Sequence, residues 1–363
     1  MRSTSPDADQ TGAISLTTAQ INYIREPLND SGSLNGYHSF DVTPTIGREF
    51  PDVQLGDILD DDQKLRDLAI TVSRRGVVFF RNQNLSSEQQ KALAQKLGEL
   101  TGKPPTSKLH RHSSYSSGGN IAVDEHGKLD NEITVISSEV NRRHYNFRFE
   151  DRLASEGWHA DTTFEKVTGD YCILKVTCVP EDGVGGDTLW ASGYEVYDRL
   201  SPPMQKLADG LTAVHYHPHY ANIAKKHGIE QLAGDRGAPE NTSLDFKASH
   251  PVVRTNPVTG WKSLFGAAGQ VEHGWIEGVS RRESQILKTY FHQLIAENHD
   301  LQVRFKWGVN DVAVWDNRSV FHTATYDYTG KRQGNRVVSL GEIPYHDPAS
   351  TSRRQALAAE NNP

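Results

Sequence analysis

Two short stretches of this chain hold residue types that could work chemically together. Trp158-His159-Ala160-Asp161 sets an imidazole and a carboxylate two residues apart, and His322 comes 161 residues after Asp161, with Arg336 a further 14 on. Two histidines and one carboxylate can hold Fe(II) on one face and leave the opposite positions open to substrate and oxygen. Spacing alone does not establish such a centre. With 16 His and 46 acidic residues in 363, chance supplies about two His-x-[Asp/Glu] pairs; this chain has one. Local context adds weight. If Trp158 to Phe164 is a strand, alternate side chains share a face, so His159 and Asp161 point one way and Ala160 the other. His322 follows the apolar run Val312-Ala-Val-Trp315 and a turn, which would bring a third ligand to a strand edge across the fold. Arg336 opens Val337-Val-Ser-Leu-Gly341, where an unpaired charge is costly. A guanidinium fork there wants a carboxylate. A protein acid or a bound carboxylate would serve equally.

Other groups compete. His215-Tyr-His217-Pro-His219 also alternates imidazoles, as a zinc hydrolase might, but Pro218 interrupts the strand and no carboxylate lies close in sequence. A catalytically silent barrel that uses His159 and Asp161 structurally and binds a small anion is the other alternative. His110-Arg-His112 faces a substrate more readily than a metal. Gly183-Val-Gly-Gly-Asp-Thr188 has no Gly-Lys-[Ser/Thr], which argues against a phosphate loop.

The elements that must position these residues are mostly strands. Helical spacing runs from Gln63 to Arg75 and again from Ser86, a serine cap, through Leu100. From residue 133 onward strand signals dominate: Ile133–Ile136, Trp158–Phe164, Tyr171–Val179, Thr188–Trp190, Thr212–His217, Val252–Arg254, Leu301–Trp307, Val312–Trp315 and Arg336–Ile343. One helix, Ser280 to Asn298, interrupts them, and the charged stretch between Leu109 and Glu156 could form a lid. The pattern predicts a mainly β fold, a double-stranded β-helix (jelly-roll) barrel with flanking helices. Residues 1–40 read as a polar N-terminal arm, 41–346 as a single domain with helical insertions, and 347–363 as a polar C-terminal tail.

Composition narrows the class. A net charge of −7 does not favour nucleic acid, which needs a concentrated basic face. No run approaches the ~18 apolar residues of a membrane span, and no apolar segment follows the N-terminus as in a signal peptide. Cys172 and Cys178, in one predicted strand, lie too far apart for a disulfide. They read as buried, reduced thiols of a cytoplasmic enzyme.

The order of motifs resembles the taurine dioxygenase (TauD/TfdA) family of Fe(II)/2-oxoglutarate oxygenases. The likeness rests on Trp158-His-Ala-Asp-Thr-Thr-Phe164, Gly185-Gly-Asp-Thr-Leu-Trp-Ala-Ser-Gly193, His250 to Gly260, Leu264-Phe265, Asn310 to Arg318, His322, Asp327-Tyr328 and Arg336, and covers roughly residues 41 to 345. It implies that His159, Asp161 and His322 are iron ligands. It implies too that Arg336 salt-bridges the distal carboxylate of 2-oxoglutarate, with the Thr188 hydroxyl on the same group. Arg332 falls near a second family arginine, and the His322-to-Arg336 spacing is one residue shorter than in taurine enzymes. The choice between the two stays open, with Arg336 favoured because it heads the predicted strand.

Fe(II) is then the cofactor, with 2-oxoglutarate and O2 as co-substrates, consumed to succinate and CO2 while an unactivated C–H bond is oxidised. By the same likeness His112 and Tyr115 would hold an anionic head group, and Phe164 and Phe265 would wall the pocket. Ile343 and Tyr345 would line its mouth and suit a branched aliphatic group. Ser155 stands where taurine enzymes carry Asn, and one hydroxyl cannot replace both hydrogen bonds of an amide. The expected partner is therefore a small anionic or zwitterionic molecule, sulfonate or amino acid, open to hydroxylation, desaturation or ring closure. A homo-oligomer is left open.

Overall fold

The computed structural model describes residues 26–115, 120–123, 126–145, 152–228, 230–232 and 234–361. An eight-stranded sheet runs in the order Phe40–Asp41, Arg48–Phe50, Val77–Phe80, Val312–Asp316, Gly169–Cys178, Gln333–Leu340, Leu129–Ser137, Ile121–Val123. Its central strands read as unbroken apolar runs because both faces are covered. On one face Val78, Phe80, Ile173, Val312, Val314 and Val337 pack with Leu65, Leu68, Leu93 and Leu97. Those leucines belong to the helices Asp62–Arg75 and Ser87–Leu100. The alternate residues Val77, Phe79, Leu174, Ala313 and Trp315 point the other way, into a core shared with Trp190, Val303, Phe305 and Trp307.

Most of that partner surface belongs to a second sheet, ordered Gln302–Phe305, Thr188–Ser192, Val320–Ala324. A third sheet, Lys247–Pro251, Thr212–Tyr216 and Trp275–Ile276, lies beyond it. The helix Arg281–Ala296 starts with a capping box, Ser280 with Glu283, and packs on the core holding Trp158 and Ala160. Ser86 and Gln89 form the same box before Ser87–Leu100, two orphan backbone donors satisfied each time.

The structure is mainly β, as expected, and among the described residues its strands form separate sheets. Several other expectations need correction. Trp158–Phe164 is not a strand: only His159 makes a β-bridge, and the chain turns from Asp161. Arg336 sits inside the strand Gln333–Leu340 rather than at its head. The stretch between Leu109 and Glu156 is not one loop, since it supplies the strands Ile121–Val123 and Leu129–Ser137 and the helix Ser138–Tyr145. Part of the predicted N-terminal arm packs on the domain: the Asp67 carboxylate accepts the backbone N–H groups of Ser31 and Ser33, both at 2.9 Å, and both their hydroxyls. Cys172 is buried and Cys178 half-buried, and both are free.

Candidate functional site

The two histidines are brought together by backbone pairing. The His159 N–H donates to the His322 carbonyl at 3.0 Å, and the His322 N–H donates to the His159 carbonyl at 2.8 Å. Just past His159 the chain bends: Thr162 adopts φ +55°, and its hydroxyl accepts the Gly169 N–H at 3.2 Å. The Asp161 N–H meanwhile donates to Asn317 Oδ1 at 3.2 Å. This bend, not strand alternation, turns the Asp161 carboxylate toward the imidazoles. His159 Nε2 lies 3.8 Å from Asp161 Oδ1, and His322 Nε2 lies 3.8 Å from Oδ2. The three ligand atoms all fall within 4.8 Å of one another.

The donor set suits a divalent ion. His159 Nδ1 is 2.8 Å from the Gly157 carbonyl. A carbonyl only accepts, so Nδ1 carries the proton and Nε2 keeps its lone pair. Burial would raise the Asp161 carboxyl, but the Arg336 guanidinium, with His322 and His159, overrides it and holds the group at about 2. Burial, reinforced by His159, pushes His322 down to about 3. Near neutral pH Asp161 is therefore a carboxylate and His322 a neutral imidazole, as a metal ligand must be. Asp161 and His322 are buried while the His159 side chain is 34% exposed, so the cluster opens on one side. Two neighbours escaped the sequence reading: the Cys172 thiol, which donates to Asp161 Oδ2 at 3.4 Å, and Asn317. Each is placed by cross-sheet packing, which leaves no local signal.

A cavity of about 180 Å³ runs from His159, His322 and Arg336 to Thr188 and Arg332, beside Tyr326 and Tyr328. The far end is a polar cradle. Thr188 Oγ1 accepts the Trp307 indole N–H at 3.0 Å and an Arg332 N–H at 3.4 Å. With both bonds accepted, its hydroxyl hydrogen remains to donate. Arg332 is buried, and its Nε donates to the Gly186 carbonyl at 2.6 Å. Of the two arginines left open by the sequence, Arg332 meets Thr188, and Arg336 pairs with Asp161. The two guanidinium groups therefore have different partners although both line the same cavity.

The remaining expected residues divide. His112 is buried and edge-on to Tyr220, with ring centroids 5.6 Å apart, and Phe164 meets Tyr220 and His217, each at 5.4 Å. His112 and Phe164 therefore share one aromatic cluster, to which Tyr220 and His217 belong. Tyr220 lies too far along the chain for spacing to reveal it. Phe265 stacks on His215 at 5.3 Å and lies under Arg254; like His112 and Phe164, it does not line the cavity that reaches Arg332. Ile343 borders a separate groove with Lys166, Lys247 and Trp275, and Tyr345 is buried, its carbonyl accepting the Thr255 N–H. The Tyr115 side chain lies outside the described residues.

The zinc alternative does not assemble. His215 is buried against Phe265, His217 stacks on Tyr220, and His219 turns to His273. Among the described residues His159, Asp161 and His322 form the one group of three within reach of a common ion. No described helix is long and apolar enough to cross a membrane.

Facing sheets that carry a 2-His-1-carboxylate cluster and, beyond it, a buried arginine–threonine cradle define a metal-dependent oxygenase site. Residues 38–338 match the taurine catabolism dioxygenase TauD, TfdA family, and the chain belongs to it. It is 47% identical to the alpha-ketoglutarate-dependent dioxygenase btcD of Neocamarosporium betae, over 92% of this chain and 99% of that protein. Identity to an alpha-ketoglutarate-dependent sulfonate dioxygenase of Saccharomyces cerevisiae is 31%, over 84% of this chain and 67% of that one. The crystal structure of a taurine dioxygenase from Burkholderia xenovorans superposes with a TM-score of 0.63 at 27% identity, covering 86% of this chain and 92% of that chain. This protein is an Fe(II)- and 2-oxoglutarate-dependent dioxygenase, and the His159–Asp161–His322 cluster fits its iron.

Proposed function

We propose that His159, Asp161 and His322 ligate Fe(II), and that Arg332 and Thr188 grip the distal carboxylate of 2-oxoglutarate. The carrying observation is the Thr188–Arg332 cradle at the far end of a cavity that begins at the triad. A buried guanidinium and a hydroxyl with a spare proton suit a carboxylate there. When bound, Fe(II) and 2-oxoglutarate would together activate O2, the oxidant, with 2-oxoglutarate leaving as succinate and CO2. The protein's own residues orient and shield. Gly157 fixes the His159 tautomer, Asn317 and Cys172 brace Asp161, and Trp307 leaves the Thr188 hydroxyl turned to donate. Arg336, beside Asp161, holds that carboxylate charged and lies where a second anion near the metal would meet it.

In this reading the facing sheets are a double-stranded β-helix in one domain, residues 41–346, between an arm and a tail, in a cytoplasmic enzyme that does not bind nucleic acid. The substrate is a small anionic molecule. Sulfonates stand first because the yeast relative bears that name, and carboxylates and amino acids follow. The aromatic cluster of His112, Phe164, Tyr220 and His217 is its receiving surface. The branched-aliphatic preference lapses, since Ile343 and Tyr345 lie elsewhere. A succinate-release screen over sulfonates, sulfate esters, aryloxyacetates and amino acids, with mass spectrometry of the product, tests this. Turnover confined to large neutral molecules and unaffected by His112→Ala would overturn it.

A further inference from the structure

The cradle arginine is aimed by a small ring of contacts outside the cavity. Arg332 donates through Nε to the Gly186 carbonyl at 2.6 Å. Gly186 is held in turn, because its own N–H donates to Asp327 Oδ1 at 3.1 Å. Arg304 closes the ring: its Nε donates to Asp187 Oδ2 at 2.6 Å and its terminal nitrogen to Asp327 Oδ2 at 3.1 Å. The turn has no room for side chains. Gly185 and Gly186 have φ +74° and +67°, and a Cβ on Gly185 would sit 2.2 Å from the Asp327 carbonyl oxygen. A Cβ on Gly186 would sit 2.8 Å from Arg332 Cδ, so the arginine lies directly over the bare glycine backbone.

We propose that Asp327, clamped by Arg304, is a positioning residue for 2-oxoglutarate: it fixes the Gly186 backbone whose carbonyl aims Arg332 at the distal carboxylate. This rests on the reading that Arg332 binds that carboxylate. The contacts favour alignment over bulk stability. The side chains of Asp327 and Arg304 are 50% and 52% exposed, and exposed ion pairs contribute little to folding. Yet the carbonyl they steady is bonded to a guanidinium that is 5% exposed. An arginine left free to rotate would have to be ordered again each time a ligand binds, which weakens binding.

The test compares two ligands on the Fe(II)-loaded protein under anaerobic conditions by titration calorimetry. 2-Oxoglutarate carries the distal carboxylate, and oxalate chelates iron without one. Asp327→Ala should weaken 2-oxoglutarate by roughly three- to tenfold, the equivalent of one hydrogen bond, and leave oxalate unchanged. Asp327→Asn keeps an acceptor for the Gly186 N–H but none for Arg304, and should restore part of the loss. An unchanged 2-oxoglutarate affinity in Asp327→Ala overturns the proposal. So does equal weakening of both ligands. Arg332→Ala, measured alongside, separates the two ideas. If it fails to weaken 2-oxoglutarate selectively, the carboxylate assignment itself is wrong; if it succeeds where Asp327→Ala does not, only the positioning role falls.

Discussion

His159 and His322 face each other as a directly paired antiparallel couple, each bonded to the other's backbone, with imidazole centroids 4.2 Å apart. The spacing of the two candidate ligands' backbones is thus set by main-chain hydrogen bonds. Asp161 depends instead on a bend past that bridge, braced by Asn317.

Each of His159→Ala, Asp161→Ala and His322→Ala should abolish iron-dependent succinate formation and leave the purified protein with little bound iron. Elemental analysis and a succinate assay read both. A variant that keeps full iron and full turnover would remove its residue from the ligand set.

Arg332→Ala should weaken 2-oxoglutarate by at least about thirtyfold, as expected when one partner of a desolvated charge pair is deleted at ~2–5 kcal/mol. Thr188→Val should cost less, about 1 kcal/mol for one hydrogen bond. Arg336→Ala should affect 2-oxoglutarate less than Arg332→Ala does, because Arg336 sits at the Asp161 end. Calorimetric titration ranks the three, and a larger effect at Arg336 would return the distal carboxylate to it.

Gly269 lies directly behind His159, a proposed ligand. Its φ is +45°, and a Cβ there would come within 2.6 Å of His159 Cβ and 3.1 Å of its Cα. Gly269→Ala should therefore displace His159, lower iron affinity tenfold or more, and destabilise the fold by about 1–3 kcal/mol. Iron binding and thermal melting at wild-type levels would show that the backbone absorbs the clash without cost.

Acid should loosen the metal-free protein through its buried histidines. Burial, then the neighbouring His219, lowers His217 to about 4, and burial, then Arg254, lowers His250 to about 4. Both stand below the ordinary 6.5, so on acidification the unfolded chain takes up protons first. Their contribution is intact above 6.5 and is lost progressively as pH falls to about 4. Melting temperature should drop across that window, and less steeply in His250→Gln. An equally steep drop in that variant would exclude His250 as a source.

The three residues that converge into a cluster fit for iron were picked out in the sequence because ligand chemistry restricts residue type: few side chains other than His and Asp could serve. The helices Asp62–Arg75 and Ser87–Leu100 were legible too, since apolar period and a serine cap are local. His159 and Asp161 were picked out for a reason the fold does not honour, because the predicted strand is a bridge followed by a turn. What only the tertiary structure decided is which partner each arginine meets. Arg332 and Arg336 share charge, shape and neighbourhood in sequence, and only the register of Thr188 against Ala324 and Phe305 places the hydroxyl beside Arg332. The packing partners of Phe265, Ile343 and Tyr345 were out of reach of the sequence for the same cause. An apolar residue near a ligand motif looks alike whether it faces a cavity or the core, and that choice depends on the packing of distant strands.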